Sequence, residues 1–104
     1  MERLTIKEVR ELLNIDARNT LKDYLKALGL FGLPRLNWVQ IRQCLELQIY
    51  LGLKHGIHSK EKFLKLSQDE IDSLFQLYGV DIDSRIKSLK MRHRDSVQNN
   101  LARA

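Results

Sequence analysis

The chain has 104 residues, of which 43% are hydrophobic, and its formal net charge at pH 7 is +5. This length predicts one domain, or one domain with an extension. A single proline and five glycines argue against a disordered chain or an all-β sandwich. No apolar run approaches the roughly 20 residues that cross a bilayer, and we expect neither a signal peptide nor a membrane partner. The single cysteine cannot form an intrachain disulfide, which fits a reducing cytoplasm.

Basic residues are concentrated in the first two thirds of the sequence. Residues 1–66 contain 12 lysines and arginines against 7 acidic residues, whereas residues 67–104 contain 6 of each. A cationic surface of this kind attracts phosphate groups without sequence preference. The charge alone is equally compatible with a solvated basic surface that has no partner.

The first predicted helix begins at a capping box that spans Thr5 to Glu8. In a capping box the Thr5 oxygen accepts a hydrogen bond from the Glu8 amide, and the Glu8 side chain reaches back to the Thr5 amide. Residues 14–16 interrupt the helical pattern, and Asp16 is suited to cap a second helix.

The second predicted helix has an apolar stripe on one side and polar residues on the other. The stripe has the spacing i, i+3, i+4, i+7 and consists of Leu21, Tyr24, Leu25 and Leu28. Gly29 is predicted to end this helix, because glycine adopts the left-handed conformation without steric cost. Two short helices joined by a tight turn are typical of a helix-turn-helix, which binds DNA.

The polar face of the second helix carries the main candidates for DNA contact. Arg18, Asn19 and Lys22 lie toward the amino terminus of the helix, which enters the major groove first, so they are placed to meet base edges. Arginine can bond guanine twice, and asparagine can bond adenine twice. Lys26 extends the basic face, whereas Asp23 disfavours a nearby phosphate. The alternative is an ordinary solvated helix face.

The segment 30–36 predicts a turn or a small β-hairpin, because it contains Gly32 and Pro34. An arginine at the tip of such a ribbon, Arg35, can reach phosphates or the minor groove. A basic turn after a basic helix favours DNA over other partners.

A third helix is predicted from Trp38 to Lys54, and Asn37 and Gln40 resemble another cap pair at its start. It is apolar over most of its circumference, which is usual for a helix at the centre of a core. Trp38 is interpreted as a core anchor, with base stacking as the alternative, and Arg42 follows one turn later. Cys44 is interpreted as a small core residue.

The amino-terminal part of the chain resembles the winged helix-turn-helix of the MerR family of transcriptional regulators. The resemblance covers about residues 4–66 and rests on the stretches TIKEV and LLNI in the first helix and turn, TLKDY and LGL in the second helix, and Pro34-Arg35. It implies a two-fold dimer whose recognition helices read a palindromic promoter. It also implies that Thr20 begins the recognition stretch, that Lys22 stands where arginine is usual, and that Tyr24 contacts the DNA backbone.

The chain also departs from the MerR pattern. Asp23 replaces the first aromatic residue of the family, and the wing lacks the usual Gly-Tyr-Arg followed by tyrosine. The short wing is similar to that of phage excisionase domains, and compact MerR-like regulators of this kind accompany CRISPR-associated transposons. The complete set of predicted DNA contacts is Thr5, Lys7, Arg18, Asn19, Thr20, Lys22, Tyr24, Lys26, Arg35, Trp38 and Arg42.

The carboxy-terminal third is also predicted to be helical. A short helix near residues 59–66 is followed by a capping box at residues 67–70 and a helix that ends at Gly79. The segment from Asp81 to Ala104 then predicts one helix with a thin apolar seam, which suits a coiled coil, or a helix that frays beyond His93. The predicted dimerisation residues are Ile82, Ile86, Leu89, His93, Val97 and Leu101.

These features predict an all-α fold, a winged helix-turn-helix with a minimal or absent β wing and a carboxy-terminal dimerisation helix. We expect a DNA-binding domain at residues 1–66 and a helical dimerisation extension at residues 67–104. The expected function is that of a homodimeric, cytoplasmic and nucleoid-associated repressor that binds double-stranded DNA at a palindromic promoter site.

Neither a small-molecule effector nor a cofactor is expected. The carboxy-terminal half has no cysteine for a soft metal, and His55 and His58 lack a nearby third ligand. Enzymatic activity is disfavoured, because the sequence has no Gly-rich phosphate loop and no nucleophile with a base partner. The alternatives are a small helical protein-interaction adaptor and an excisionase-like architectural protein.

Overall fold

A computed structural model describes residues 2–54, 56 and 58–103, with side chains up to residue 98. Within these residues, six helices accompany one two-stranded sheet, which confirms a helical fold with a minimal β component. None of the described helices is long and apolar enough to cross a membrane. The elements in chain order are β1 (Arg3–Thr5), α1 (Ile6–Leu12), α2 (Arg18–Ala27), β2 (Arg35–Asn37), α3 (Trp38–Leu53), α4 (Ser59–Leu64), α5 (Gln68–Leu77) and α6 (Ile82–Arg103).

The sheet joins the start of the chain to the segment after α2. β1 and β2 are antiparallel, and fully buried Leu4 lies opposite fully buried Leu36. Of the two alternatives predicted for residues 30–36, the turn is present and is closed by the Leu33 amide and the Leu30 carbonyl. The hairpin is wrong, because β2 pairs with residues that precede α1. A three-residue strand is too short for an alternating pattern, and its pairing depends on contacts across more than 30 residues.

The three capping boxes that the sequence predicts are present, at the starts of α1, α3 and α5. The cap of α2 is different from the prediction: its N-cap residue is Ala17, without a side-chain hydrogen bond, and Asp16 is exposed. α1 ends because Asn14 takes a left-handed conformation with a φ of 57°, after which the Ile15 amide bonds the Arg10 carbonyl. This closed turn moves the start of α2 one residue beyond Asp16.

α3 lies at the centre of the core, as its apolar circumference predicts. Ile41, Cys44 and Leu47 have no exposed surface. The buried side chains of residues 1–66 and those of residues 67–104 belong to one hydrophobic cluster. Residues on both sides of position 66 therefore contribute to the same core.

α6 packs along the body of its own chain through its first half. Ile82, Ile86 and Leu89 are buried in the common core. Arg92 donates a hydrogen bond to the Leu12 carbonyl at 3.0 Å, at the carboxyl end of α1. The first half of α6 therefore packs against its own chain and contacts the end of α1, so this part of α6 is not free to bind a partner.

Candidate nucleic-acid interface

Two hydrogen bonds from distant helices hold the turn between α1 and α2, and this turn sets the direction of α2. The carbonyls at the end of a helix lack partners within the helix. Here the Gln48 amide of α3 donates to the Leu13 carbonyl at 2.9 Å, and Arg92 of α6 donates to Leu12. Asn14, in a left-handed conformation, reverses the direction of the chain between α1 and α2. A helix-turn-helix requires a rigid connection of this kind, because its second helix is positioned by the first.

The two faces of α2 are arranged as the stripe predicts. Leu21 and Leu25 are buried against the core, and Tyr24 and Leu28 are half-buried beside them. The opposite face is exposed and consists of Arg18, Asn19, Lys22, Asp23 and Lys26. Among the ion pairs of the described residues, none involves the three cations of this face. These charges are therefore available to an external anion.

Two cations of α1 extend this basic surface. Lys7 and Arg10 line one shallow hollow together with Arg18, and the apolar floor of the hollow is formed by Ile6 and Leu21. Lys7 belongs to the predicted contact set, whereas Arg10 was missed. Helical spacing could have identified Arg10, because a residue three positions after Lys7 lies on the same helix face.

An exposed aromatic residue in the turn after α2 was also missed. The Lys22 ammonium lies 5.6 Å from the centroid of the Phe31 ring, and the Lys26 ammonium lies 5.1 Å from it. The Phe31 side chain is 56% exposed and does not pack against the core. No periodic pattern predicts this contact, because it depends on the fold-back of the turn.

Three of the predicted DNA-contact residues also have a structural role or are half-buried. The Thr5 hydroxyl accepts from the Glu8 amide at 3.2 Å and donates to the Glu8 carboxylate, so it serves as a helix cap. Thr20 is half-buried. Tyr24 is half-buried too, and burial raises the pKa of its hydroxyl above the ordinary value.

The predicted contacts that follow α2 are divided between two places. Arg35 is exposed on β2, opposite Thr5 in the sheet. Trp38 packs against the core, and its indole N–H donates to the Glu2 carboxylate at 2.6 Å. Arg42 forms an ion pair with Asp83 of α6. The structure therefore brings Arg42 to α6 rather than to the exposed face of α2.

Most residues of the predicted dimerisation seam pack against their own chain. His93 is 11% exposed, with its Nδ1 3.8 Å from Glu8 Oε2 and its Nε2 3.9 Å from Glu2 Oε2. Val97 continues the seam and is exposed. The side chain of Leu101 lies outside the described residues. A partner could therefore reach only the last part of the seam.

Two carboxyl groups have shifted pKa values for opposite reasons. The pKa of Glu8 lies below its ordinary value, chiefly because the Thr5 amide donates to its carboxylate. Burial raises the pKa of Glu46, although Gln68 donates to its carboxylate at 2.9 Å. Both groups are structural, since one caps α1 and the other joins α3 to α5.

The described residues contain no cluster of three or more histidine, cysteine or acidic side chains that could hold a metal ion. Cys44 is buried, and burial raises the pKa of its thiol to about 12, so it is unreactive at neutral pH. His55 of the predicted histidine pair lies outside the described residues. His58 lies 3.9 Å from the Glu61 carboxylate.

Comparison of the chain with protein-family models, with curated proteins and with solved structures finds no match. The resemblance to the MerR family therefore stays a prediction from the residues that carry it. Function is inferred below from the basic surface of α1 and α2.

Proposed function

We propose that the chain is a DNA-binding transcriptional regulator of the MerR-like type, which acts as a homodimeric repressor at a palindromic site without a small-molecule effector. The observation that carries this proposal is the exposed basic face of α2, whose cations have no acidic partner among the described ion pairs. Double-stranded DNA is the partner that best matches such a face on the second helix of a helix-turn-helix.

The electrostatics favour a phosphate backbone. Lys7 and Arg10 of α1 and Arg18 of α2 line one hollow, so three basic residues lie close to the amino-terminal end of α2. The helix dipole adds a partial positive charge at the same end. Each phosphate that such residues neutralise releases condensed counterions, which gives affinity on any sequence.

Sequence reading is assigned to Arg18 and Asn19, at the start of α2 and exposed to solvent. Their side chains have the donors and acceptors that match guanine and adenine in the major groove. We expect Asn19→Ala to weaken binding to a selected site by about 5- to 100-fold, the range for one bidentate base contact. Binding to random duplex should change little, and an equal loss on both would exclude a base-reading role.

The dimer is assigned to the distal part of α6. Val97 lies on the stripe of Ile82, Ile86 and Leu89 but is exposed, so this stripe continues past the part that the core covers. A second copy of α6 would cover it in an antiparallel or parallel helix pair. Truncation after Asp95 preserves the buried part of the helix and should give a folded monomer in analytical ultracentrifugation.

The decisive experiment is fluorescence anisotropy with duplex DNA. A site is first selected from a randomised duplex pool, and binding to that site and to scrambled duplex is measured at about 50 and 200 mM salt, a range over which phosphate contacts lose most of their affinity. Tighter binding to the selected site, with a steep salt dependence on both duplexes, is expected. Absence of binding to either duplex at low salt would refute the proposal.

A protein-interaction adaptor is the second candidate, and one observation favours it. Leu77 of α5 is 79% exposed beside exposed Tyr78, next to a groove that also includes Leu66 and Leu74. An adaptor would bind its partner there, and Leu77→Asp would abolish binding. A DNA-binding regulator should bind duplex DNA normally with the same substitution.

An excisionase-like architectural protein would differ from a repressor in bending DNA. Fluorescence energy transfer between dyes at the two ends of the bound duplex would detect the bend.

A further inference from the structure

The turn after α2 places an exposed aromatic ring against the basic face of that helix. Gly29 ends α2 with a φ of 73°, and the Leu30 amide bonds the Leu25 carbonyl at 2.8 Å, which folds the chain back along the helix. A second turn is closed by the Leu33 amide and the Leu30 carbonyl, with Gly32 at its third position and a φ of 97°. Phe31 lies at the projecting corner of this turn.

The ring lies near two cations that would otherwise repel each other. Lys22 and Lys26 are four residues apart on α2, so they leave the helix one turn and about 6 Å from each other along its axis. Like charges at this spacing destabilise a helix and drive the side chains apart. Both ammonium groups instead lie within 5.6 Å of the Phe31 centroid, where the negative face of an aromatic ring attracts a cation.

Core packing does not account for the position of Phe31. The side chain is more than half exposed and lies outside the hydrophobic cluster. An exposed phenylalanine lacks the stabilisation that burial would provide, and the ring instead lies beside two lysines of the surface assigned to DNA.

We propose that Phe31 is a positioning residue that holds the ammonium groups of Lys22 and Lys26 together as a pair for two phosphates of the DNA backbone. This inference rests on the proposed DNA-binding function. The ring restricts the rotamers of two flexible side chains before binding, so less conformational entropy is lost when the phosphates arrive. The polyanion is favoured over a single acidic group because the cation pair continues the line of charge from Arg18 along the same helix.

The test measures the affinity for random-sequence duplex, which depends on phosphate contacts and not on base reading. Phe31→Leu keeps an apolar side chain but removes the ring, and it should weaken binding about fivefold or more, because two unrestricted lysine side chains must then be ordered on binding. Phe31→Tyr keeps the ring and should bind like the unaltered protein. Thermal unfolding of both variants checks that the fold is unchanged.

The chain offers a matched control on another surface. Lys54 lies 5.3 Å from the centroid of the Tyr78 ring, which is the same kind of pair on a different surface. Tyr78→Leu removes that ring, and we expect no change in affinity for duplex DNA. A loss equal to that of Phe31→Leu would mean that surface aromatic residues act non-specifically.

A double-mutant cycle then separates positioning from direct contact. In a background with Lys22→Met and Lys26→Met, Phe31→Leu should have no further effect on affinity, because its partners are gone. The inference is overturned if Phe31→Leu binds duplex DNA as tightly as the unaltered protein does. It is also overturned if Phe31→Leu reduces the affinity by the same factor when Lys22 and Lys26 have been replaced. Failure of the proposed function is distinguishable, because then the unaltered protein itself does not bind duplex DNA, or binds an acidic polypeptide such as polyglutamate instead.

Discussion

Two groups of basic side chains in this protein have different surroundings. On α2, Arg18, Lys22 and Lys26 are exposed and have no acidic partner among the described ion pairs. On α3 and α6, Arg42 bonds Asp83, and Arg92 bonds the carbonyl of Leu12. Each of these cations adds one unit to the net charge of +5, whichever group it belongs to, so the charge of a sequence does not identify a binding surface. Partners inside the chain decide which cations are available to a ligand.

The largest expected effect comes from removing the exposed group. Replacing Arg18, Lys22 and Lys26 together with alanine should weaken binding to any duplex by about 100-fold at low salt and reduce the slope of log K against log salt by about 2.7, at 0.9 for each phosphate. The melting temperature should change by little, since these side chains are exposed. Titrations at several salt concentrations check the slope, and an unchanged slope would exclude these residues as phosphate contacts.

In the turn between α1 and α2, which orients the exposed cations of α2, a substitution that strains the backbone should lower the stability of the fold. Asn14 has a φ of 57°, in the left-handed region, so Asn14→Ala should lower the free energy of unfolding by about 1 to 2 kcal/mol. Asn14→Gly is the matched control, because glycine adopts this conformation without strain. Urea unfolding of both variants measures the difference, and equal losses would mean that strain is not the cause.

Removing a basic side chain that has a partner within the chain should lower the stability of the fold and leave the affinity for DNA almost unchanged. Arg92→Ala breaks the bond to the Leu12 carbonyl and should lower the free energy of unfolding by about 1 kcal/mol. Its effect on DNA affinity should be much smaller than that of any cation of α2. Urea unfolding and anisotropy on the same samples test this, and a large loss of affinity without a loss of stability would contradict the division into two groups.

The smallest expected effects are two pH dependences of opposite sign. The pKa of Glu8 is lowered in the folded state, so its stabilisation is present above about pH 4.5 and is lost as the pH falls through the folded-state value. The pKa of Glu46 is raised by burial, so its ionisation costs stability as the pH rises through the folded-state value. Both residues are therefore compared by changing carboxylate to amide.

Glu8→Gln should make the acid limb of the stability profile shallower, because the amide caps the helix without titrating. Glu46→Gln should raise stability at neutral pH relative to acid, because the amide can still accept from Gln68 without burying a charge. Urea unfolding between about pH 3 and pH 7 measures both profiles. Parallel shifts of the two variants would show that neither carboxyl group controls the acid limb.

Local features of the fold were predictable because their cause lies within a few residues. The three capping boxes depend on two side chains three positions apart, and the ends of α2 and α5 depend on Gly29 and Gly79. The stripe of α2 follows from helical periodicity alone. The N-cap at Asp16 was wrong because the preceding turn is closed by Asn14, whose left-handed conformation shifts the start of the helix.

The candidate site was predictable only in part. The exposed face of α2 follows from the same periodicity as its buried face, and its residues are those expected. The commitment of Arg42 to Asp83, separated from it by 41 positions, has no local signal. The same holds for the ring of Phe31 beside two lysines. Arg10 does have a local signal, because it lies three positions after Lys7 on the same helix face.

Local sequence was enough to predict the helical class, the three capping boxes and the side of α2 that faces solvent, because these depend on hydrogen bonds and burial over one or two helical turns. Tertiary structure decided the pairing of β1 with β2 and the burial of the α6 seam against its own chain. It also decided which cations have a hydrogen-bond or ion-pair partner within the chain. These outcomes depend on which distant surfaces meet, and a contact between distant residues leaves no periodic pattern in either segment.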